Sequence, residues 1–341
     1  MSRPPVALGT FPTPVEPAPR LAAALGLGPD DLWVKRDDLT GLGGGGNKVR
    51  KLEWTVGAAL ADGADTLVTT GAAQSNHARL TAAAGARLGL DVVLVLGGPG
   101  GPGGSGGAGG SGGSPGGSRS GNLALDGLFG ARLAWAGDVD RAGLDAAAAE
   151  VCEQLRAAGA RPALVPFGGS STLGARGYVC CGEELRRQVP GLRTAVVALG
   201  SGGTMAGLVA SLGAEAVLGV DVGAVADPAS VVTGFAAPLT AEPVAPERLR
   251  IRTDQVGGGY PVLTPAAADA LRLAARTEGL VVDPVYTGRA LAGLAAAVRD
   301  GDVRPGERTV FVHTGGLPGL FGHAAAVAYA ESGALPYPAD D

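Results

Sequence analysis

Lysine is nearly absent from this chain. Of its 27 basic residues only Lys35, Lys48 and Lys51 are lysines. Cysteine is as scarce: Cys152, Cys180 and Cys181 have no zinc-ligand spacing, and the adjacent pair makes no disulfide framework. No apolar run approaches the ~20 residues needed to span a bilayer. The N-terminal MSRPPVALGTFPTP lacks the apolar core of a secretory signal. A formal net charge of −5 gives no reason to expect nucleic acid as a partner. Together these absences point to a cytosolic, reduced protein with no metal site and no membrane span. With 46% hydrophobic and 17% charged residues the composition is globular, and 341 residues suffice for one large core or two modest domains.

The shortage of lysine sharpens the question of where it is kept. Arginine stays charged and cannot form an imine, whereas a partly buried lysine loses its proton readily and can. Lys48 follows a glycine tract in residues 41–53, GLGGGGNKVRKLE, and is singled out on that ground. Lys35 and Lys51 are expected on solvated faces. Arg36, Asp37 and Asp38 are expected to form an internal ion-pair network.

Short β-branched runs ending in glycine-rich or polar turns occur at residues 65–72, 91–98, 194–203, 216–223 and 308–316. Alanine-rich stretches with helical spacing lie between them, at residues 74–89, 142–159 and 264–279. Buried strands alternating with helices predict an α/β architecture of open, twisted, mostly parallel sheets with helices on both faces. In such folds ligands bind beyond the carboxyl ends of the strands, so the turns there are the places to look for chemistry. Residues 97–121 stand apart, being almost entirely glycine, serine and proline. They are too short and proline-poor for a collagen helix and read as a flexible surface loop, or alternatively as a flap beside the site.

Four turns carry polar groups. In 199–208, LGSGGTMAGL, Gly200, Ser201, Gly202 and Gly203 precede Thr204 at the start of a helix. Backbone N–H groups converging beside a helix N-terminus form a phosphate cradle. Neither GxxxxGK[ST] nor GxGxxG with a downstream acid is present, so the phosphate belongs to something other than a nucleotide. The turn 71–79, GAAQSNHAR, sets Ser75, Asn76 and His77 at a helix start, where Ser75 can also act simply as an N-cap. In 282–290, VDPVYTGRA, Tyr286 and Thr287 precede a helix, and in 312–320, VHTGGLPGL, Thr314 precedes paired glycines. His313 reads as a satisfied strand-end residue. A reactive lysine, a phosphate cradle and scattered polar groups suggest pyridoxal 5′-phosphate.

With WVKRDDLTG and GGNKVRKLE, followed in order by QSNH, GSGGTMAGL, DPVYTG and HTGG, the chain resembles the D-cysteine desulfhydrase and 1-aminocyclopropane-1-carboxylate deaminase family. The resemblance runs over nearly the whole chain apart from residues 97–121. It implies a tryptophan-synthase-β-like fold (fold type II), a homodimer and a small amino-acid substrate. It also implies a larger cofactor-binding domain from residues 1–47 and 165–341, and a smaller α/β domain from 48–164. Lys48 matches the lysine that carries the cofactor, and Asn76 the asparagine facing its phenolic oxygen. Gly200 through Thr204 match the phosphate loop. Ser75 matches a serine acting on the substrate carboxylate and in proton relay, and Tyr286 and Tyr260 match two tyrosines facing the substrate. Deaminases of this family carry glutamine after QSN and glutamate after the DPVY tyrosine. Here those positions are His77 and Thr287, as in the desulfhydrase branch, with a neutral Thr314 or Thr287 expected at the pyridine nitrogen. The resemblance therefore implies β-elimination on D-cysteine. L-cysteate sulfo-lyase, cyclopropane deamination and non-catalytic binding of a phosphate ligand are the alternatives.

Overall fold

A computed structural model describes residues 4–98, 120–260 and 262–333. Most of the expected glycine-rich loop, residues 99–119, lies outside the described residues.

The strands in chain order are β1 (Val15–Pro17), β2 (Leu32–Lys35), β3 (Thr66–Ala72), β4 (Asp91–Gly97), β5 (Arg132–Gly137), β6 (Pro162–Val165), β7 (Thr194–Leu199), β8 (Val217–Asp221), β9 (Arg250–Arg252) and β10 (Thr309–Val312). They form a six-stranded sheet ordered β1-β2-β10-β7-β8-β9 and a four-stranded sheet ordered β5-β4-β3-β6. Among the described residues every pairing is parallel except β1 with β2. All six residues of β7 and all four of β10 are buried. That pattern explains their unbroken apolar runs, since a parallel strand covered on both faces has no polar side to show.

The helices are α1 (Pro19–Leu25), α2 (Lys48–Ala61), α3 (Asn76–Leu88), α4 (Asn122–Leu128), α5 (Arg141–Ala157), α6 (Thr172–Gln188), α7 (Gly203–Leu212), α8 (Pro228–Ala236), α9 (Pro265–Glu278), α10 (Thr287–Arg299), α11 (Leu317–Phe321) and α12 (Ala324–Ser332). Local signals explain their ends. Ser75 caps α3 through its side chain, and Gly89, at φ 69°, closes that helix in the left-handed conformation. Glycines also set how closely helices approach. A Cβ on Gly177 would lie 2.2 Å from the Arg50 carbonyl of α2, and one on Gly207 2.2 Å from the Ala175 carbonyl of α6. These contacts lock α2, α6 and α7 together, and with them Lys48 and the 199–208 turn.

The expectation for Lys35 and Lys51 is corrected: both are buried, at 0% and 1% exposure. Lys35 Nζ donates to Thr13 O (2.9 Å), Glu184 Oε2 (2.6 Å) and Gln188 Oε1 (2.7 Å), so partners replace the water it loses. The acidic run divides. Arg36 pairs with Asp38 and Glu16 nearer the surface, while Asp37 is buried against Arg50.

Candidate active site

The four turns singled out in the sequence all reach one cavity of about 220 Å³. The β3–α3 turn contributes Ser75, Asn76 and His77 to its wall. The β7–α7 turn brings Gly200, Ser201, Gly202 and Thr204. Tyr286 enters from the turn before α10, Tyr260 from the 257–262 loop, and Thr314 from the turn after β10. Lys48, the first residue of α2, points its amine among them.

The glycine tract before Lys48 has a steric cause. Gly45 sits at φ 73°, and a Cβ there would fall 1.9 Å from Asp38 O, so only glycine can pass. The chain then docks on the β10 turn, where Asn47 N–H donates to Thr314 O at 3.0 Å. Lys48 Nζ donates to Asn47 Oδ1 (3.1 Å), and Asn47 Nδ2 donates to Thr204 Oγ1 (3.0 Å). Asn47 thus links the amine to the phosphate loop. Burial lowers the Lys48 pKa to about 8, opposed by Asp283 and assisted by Arg79. An amine so placed is available as a neutral nucleophile or base near physiological pH.

Behind the phosphate loop Ser170 organises a polar cluster. Its Oγ pairs with Ser201 Oγ (2.8 Å) and accepts from Gly203 N–H (3.2 Å) and from Lys51 Nζ (3.0 Å). Lys51, corrected above from solvated to buried, therefore lies beside the N-terminus of α7. Burial, then Lys48, holds its amine well below the ordinary lysine value. A phosphate dianion entering that cradle would restore the charge and gain a cation as well as helix-terminal N–H groups.

The tyrosines are held from behind. Asp283 Oδ2 accepts from Val285 N and Tyr286 N (both 3.0 Å). Its Oδ1 accepts from Thr287 N (2.8 Å) and Thr287 Oγ1 (2.7 Å). Of the two threonines expected near the pyridine nitrogen, Thr287 is fully buried, its hydroxyl serves Asp283, and it is not among the residues lining the cavity. Gly203 is turned likewise to Ser170, whereas Thr314 does reach the wall. Arg289 fixes the Tyr260 loop by donating to Gly259 O (2.7 Å) and Tyr260 O (3.1 Å). The Tyr260 and Tyr286 hydroxyls bond to each other. Burial raises the Tyr260 pKa to about 12 and lifts Tyr286 well above the ordinary value, so both stay protonated at neutral pH.

His77 is buried on the wall with Nε2 against Thr69 Oγ1 (2.8 Å). Burial, then Lys48 and Lys51, hold the ring neutral against a smaller opposing effect of the Pro166 backbone. His313 bonds Val281 O and the Gly315 N–H, as expected of a satisfied strand-end residue. Sequence reasoning missed Asn47, Lys51 and Ser170. A signal existed for Asn47, because the chain has only three asparagines, Asn47, Asn76 and Asn122.

An amine of lowered pKa on the wall and a phosphate cradle with a second amine beside it fit pyridoxal phosphate. The comparisons with known proteins agree. A family model described as pyridoxal-phosphate-dependent enzyme matches residues 6–315. The chain belongs to that family. It is 40% identical over 330 residues to a Pyrococcus abyssi protein provisionally named 1-aminocyclopropane-1-carboxylate deaminase, with 93% of each chain covered. It is 38% identical over 324 residues to a D-cysteine desulfhydrase of Salmonella schwarzengrund, covering 92% of this chain and 94% of that one. The crystal structure of an ACC deaminase homologue superposes with a TM-score of 0.82 at 35% identity, over 96% of both chains. The fold is therefore tryptophan-synthase-β-like, fold type II, and the cofactor is pyridoxal phosphate. The chain lies in the group that holds both the deaminases and the desulfhydrases.

One pH prediction follows from Lys48. Only the neutral amine attacks an aldehyde, so cofactor uptake by the apoenzyme should speed up to about pH 8 and then level off. Stopped-flow absorbance measures this. A rate still climbing toward the ordinary lysine value of 10.5 would contradict the lowered pKa.

Proposed function

We propose that this chain is a lyase that carries out β-elimination on D-cysteine. With one water, the products are pyruvate, hydrogen sulfide and ammonia. The observation that carries the reading is the make-up of the wall: among the described residues no carboxylate lines the cavity. At position 287 the side chain is a threonine whose hydroxyl is committed to Asp283. A carboxylate at the pyridine nitrogen would keep it protonated and make a strong electron sink, whereas neutral Thr314 gives a weaker one. Loss of a thiol, already a competent leaving group, asks less of the sink than opening an unactivated cyclopropane.

Bound pyridoxal phosphate would supply the electron sink for the pair left when the α-proton departs. The protein's own groups do the rest. Asn47 orients the Lys48 amine, which takes the α-proton once substrate has displaced it. Ser75 Oγ accepts from Ala78 N–H (3.2 Å), leaving its own proton to meet the substrate carboxylate at the α3 N-terminus. Tyr286, whose ring centre lies 5.8 Å from Lys48 Nζ, shares a hydroxyl contact with Tyr260. That protonated pair is placed to donate to the departing sulfur. The aminoacrylate released then hydrolyses to pyruvate and ammonia.

A sulfonate leaving group, as in L-cysteate, would call for a further cation. The wall offers only Lys48 and Lys51 among the described residues, and Lys51 faces the phosphate loop. The proposal also takes in a cytoplasmic homodimer and the division into 1–47 with 165–341 and 48–164. In support of that division, β3 to β6 form their own sheet and fall within the smaller segment but for Val165.

The test offers purified holoenzyme D-cysteine, L-cysteine, L-cysteate and 1-aminocyclopropane-1-carboxylate in parallel. Sulfide and pyruvate in equal amounts from D-cysteine alone are expected. Sulfite from L-cysteate, or 2-oxobutyrate from the cyclopropane at a comparable rate, would overturn the reading.

A further inference from the structure

Asn76 faces the cavity, yet what fixes its amide lies behind the wall. Its Oδ1 accepts from Asn122 Nδ2 at 3.0 Å and from Arg79 Nη2 at 3.4 Å. A guanidinium only donates, so the prong of Asn76 turned toward Arg79 is its oxygen, and Nδ2 is the prong left over. That Nδ2 has no hydrogen-bond partner among the described residues, although Asn76 lines the cavity.

The two residues behind it are themselves fully determined. Asn122, in α4, is 0% exposed and does not line the cavity. Its second Nδ2 proton goes to Gln74 O (2.9 Å), its Oδ1 accepts from Arg79 Nε (3.1 Å), and its backbone N–H donates to Gln74 Oε1 (2.9 Å). Turning its amide over would set the amino group against Arg79, donor against donor, and face two oxygens toward each other at Asn76. Arg79, also 0% exposed, spends Nη1 on Gly43 O (2.5 Å) and Gly45 O (3.0 Å), in the tract that delivers Lys48. The only asparagine outside the cavity wall is thus bonded to one on it.

We propose that Asn122 and Arg79 are positioning residues that hold Asn76 with its amide N–H turned into the cavity as the donor to the phenolic oxygen of bound pyridoxal phosphate. This rests on the reading of Asn76 as the residue that faces that oxygen. An N–H donor there stabilises negative charge on the oxygen and weakens its hold on the proton of the neighbouring lysine–cofactor nitrogen. With the donor misdirected, that proton is held more tightly and leaves at higher pH.

The experiment is a pH titration of the visible absorbance of resting holoenzyme, without substrate, for the unsubstituted protein, Asn76→Ala, Asn122→Ala and the double variant. Asn76→Ala should raise the midpoint by about one pH unit or more, the size expected for a lost hydrogen bond to a charged oxygen. Asn122→Ala should move it the same way by a smaller amount. The double variant should titrate with Asn76→Ala, because the shift proposed for Asn122 runs through Asn76. If Asn76→Ala shifts the midpoint and Asn122→Ala does not, or if the two shifts add, the positioning role is overturned while the reading of Asn76 stands. If neither shifts it, the reading of Asn76 falls as well. Should Asn122→Ala fail to fold, asparagine-selective 15N labelling gives three side-chain amide pairs in the intact chain. The Asn76 pair must then move on cofactor loading, and the Asn122 pair must move on Asn76→Ala. A stationary pair in either case overturns the proposal.

Discussion

Replacing Lys48 by alanine removes turnover, while replacing Lys51 by alanine leaves the lysine–cofactor linkage in place and weakens binding. Both amines line one cavity and both have lowered pKa values, so the distinction rests on geometry. Lys48 Nζ touches Asn47 and lies 5.8 Å from the Tyr286 ring centre, at the end where substrate would meet the tyrosines. Lys51 Nζ is bonded to Ser170, which also holds Gly203 N–H and Ser201. A positioned proton-transfer group supplies about 10²- to 10⁴-fold in rate, so Lys48→Ala should lose at least that much, together with the visible band. Lys51→Ala loses a charge-assisted hydrogen bond of about 1.5–3 kcal/mol. Its dissociation constant for the cofactor should rise about tenfold to a hundredfold, as equilibrium dialysis would show.

The second large effect concerns stability. Asp37→Ala should cost about 3–5 kcal/mol, the range for removing one partner of a buried ion pair. Asp37 is 0% exposed, with Oδ1 accepting from Thr13 Oγ1 (2.7 Å) and Arg50 Nη2 (2.9 Å). Its Oδ2 accepts from Arg50 Nε (2.8 Å) and Tyr178 OH (2.5 Å). Glu184 receives both Arg50 and Lys35, so two cations and two anions cancel in the interior. Without Asp37 the cluster keeps a net positive charge and Tyr178 loses its acceptor. Burial works to raise the Asp37 pKa, but Arg50 outweighs it and the net shift is downward. A depressed folded-state value means this stabilisation is fully present above the unfolded carboxylate value of 3.8. It is lost as pH falls through the lower folded value. Urea unfolding of the variant at neutral pH should show the full loss; a change under about 1 kcal/mol would show that water enters the cluster.

These two clusters show where the sequence was readable and where it was not. The strand–turn–helix units at Ser75–His77 and Gly200–Thr204 stood out because local chemistry dictates them: a capping serine and a run of glycines announce themselves within ten residues. Lys48 stood out through rarity and its glycine tract. Lys35 and Lys51 were misplaced because a lysine's burial depends on partners far along the chain. For Lys35 these are Glu184 and Gln188, and for Lys51 it is Ser170. The orientation of Thr287 was not legible for a related reason. Its position beside Tyr286 suggested the cavity, but whether a helix-start hydroxyl faces outward or back to Asp283 depends on how the β10 turn packs against it. Ion pairs between sequence neighbours were legible at Arg36 and Asp38, whereas the deeper network around Asp37 recruits Arg50 and Glu184 from α2 and α6.

The most direct measurement is reduction of the holoenzyme with borohydride, followed by proteolysis and mass spectrometry of the peptides that carry the three lysines. The account predicts a reduced cofactor adduct on Lys48 alone, with Lys35 and Lys51 unmodified. An adduct on Lys51, or none on any lysine, would contradict it.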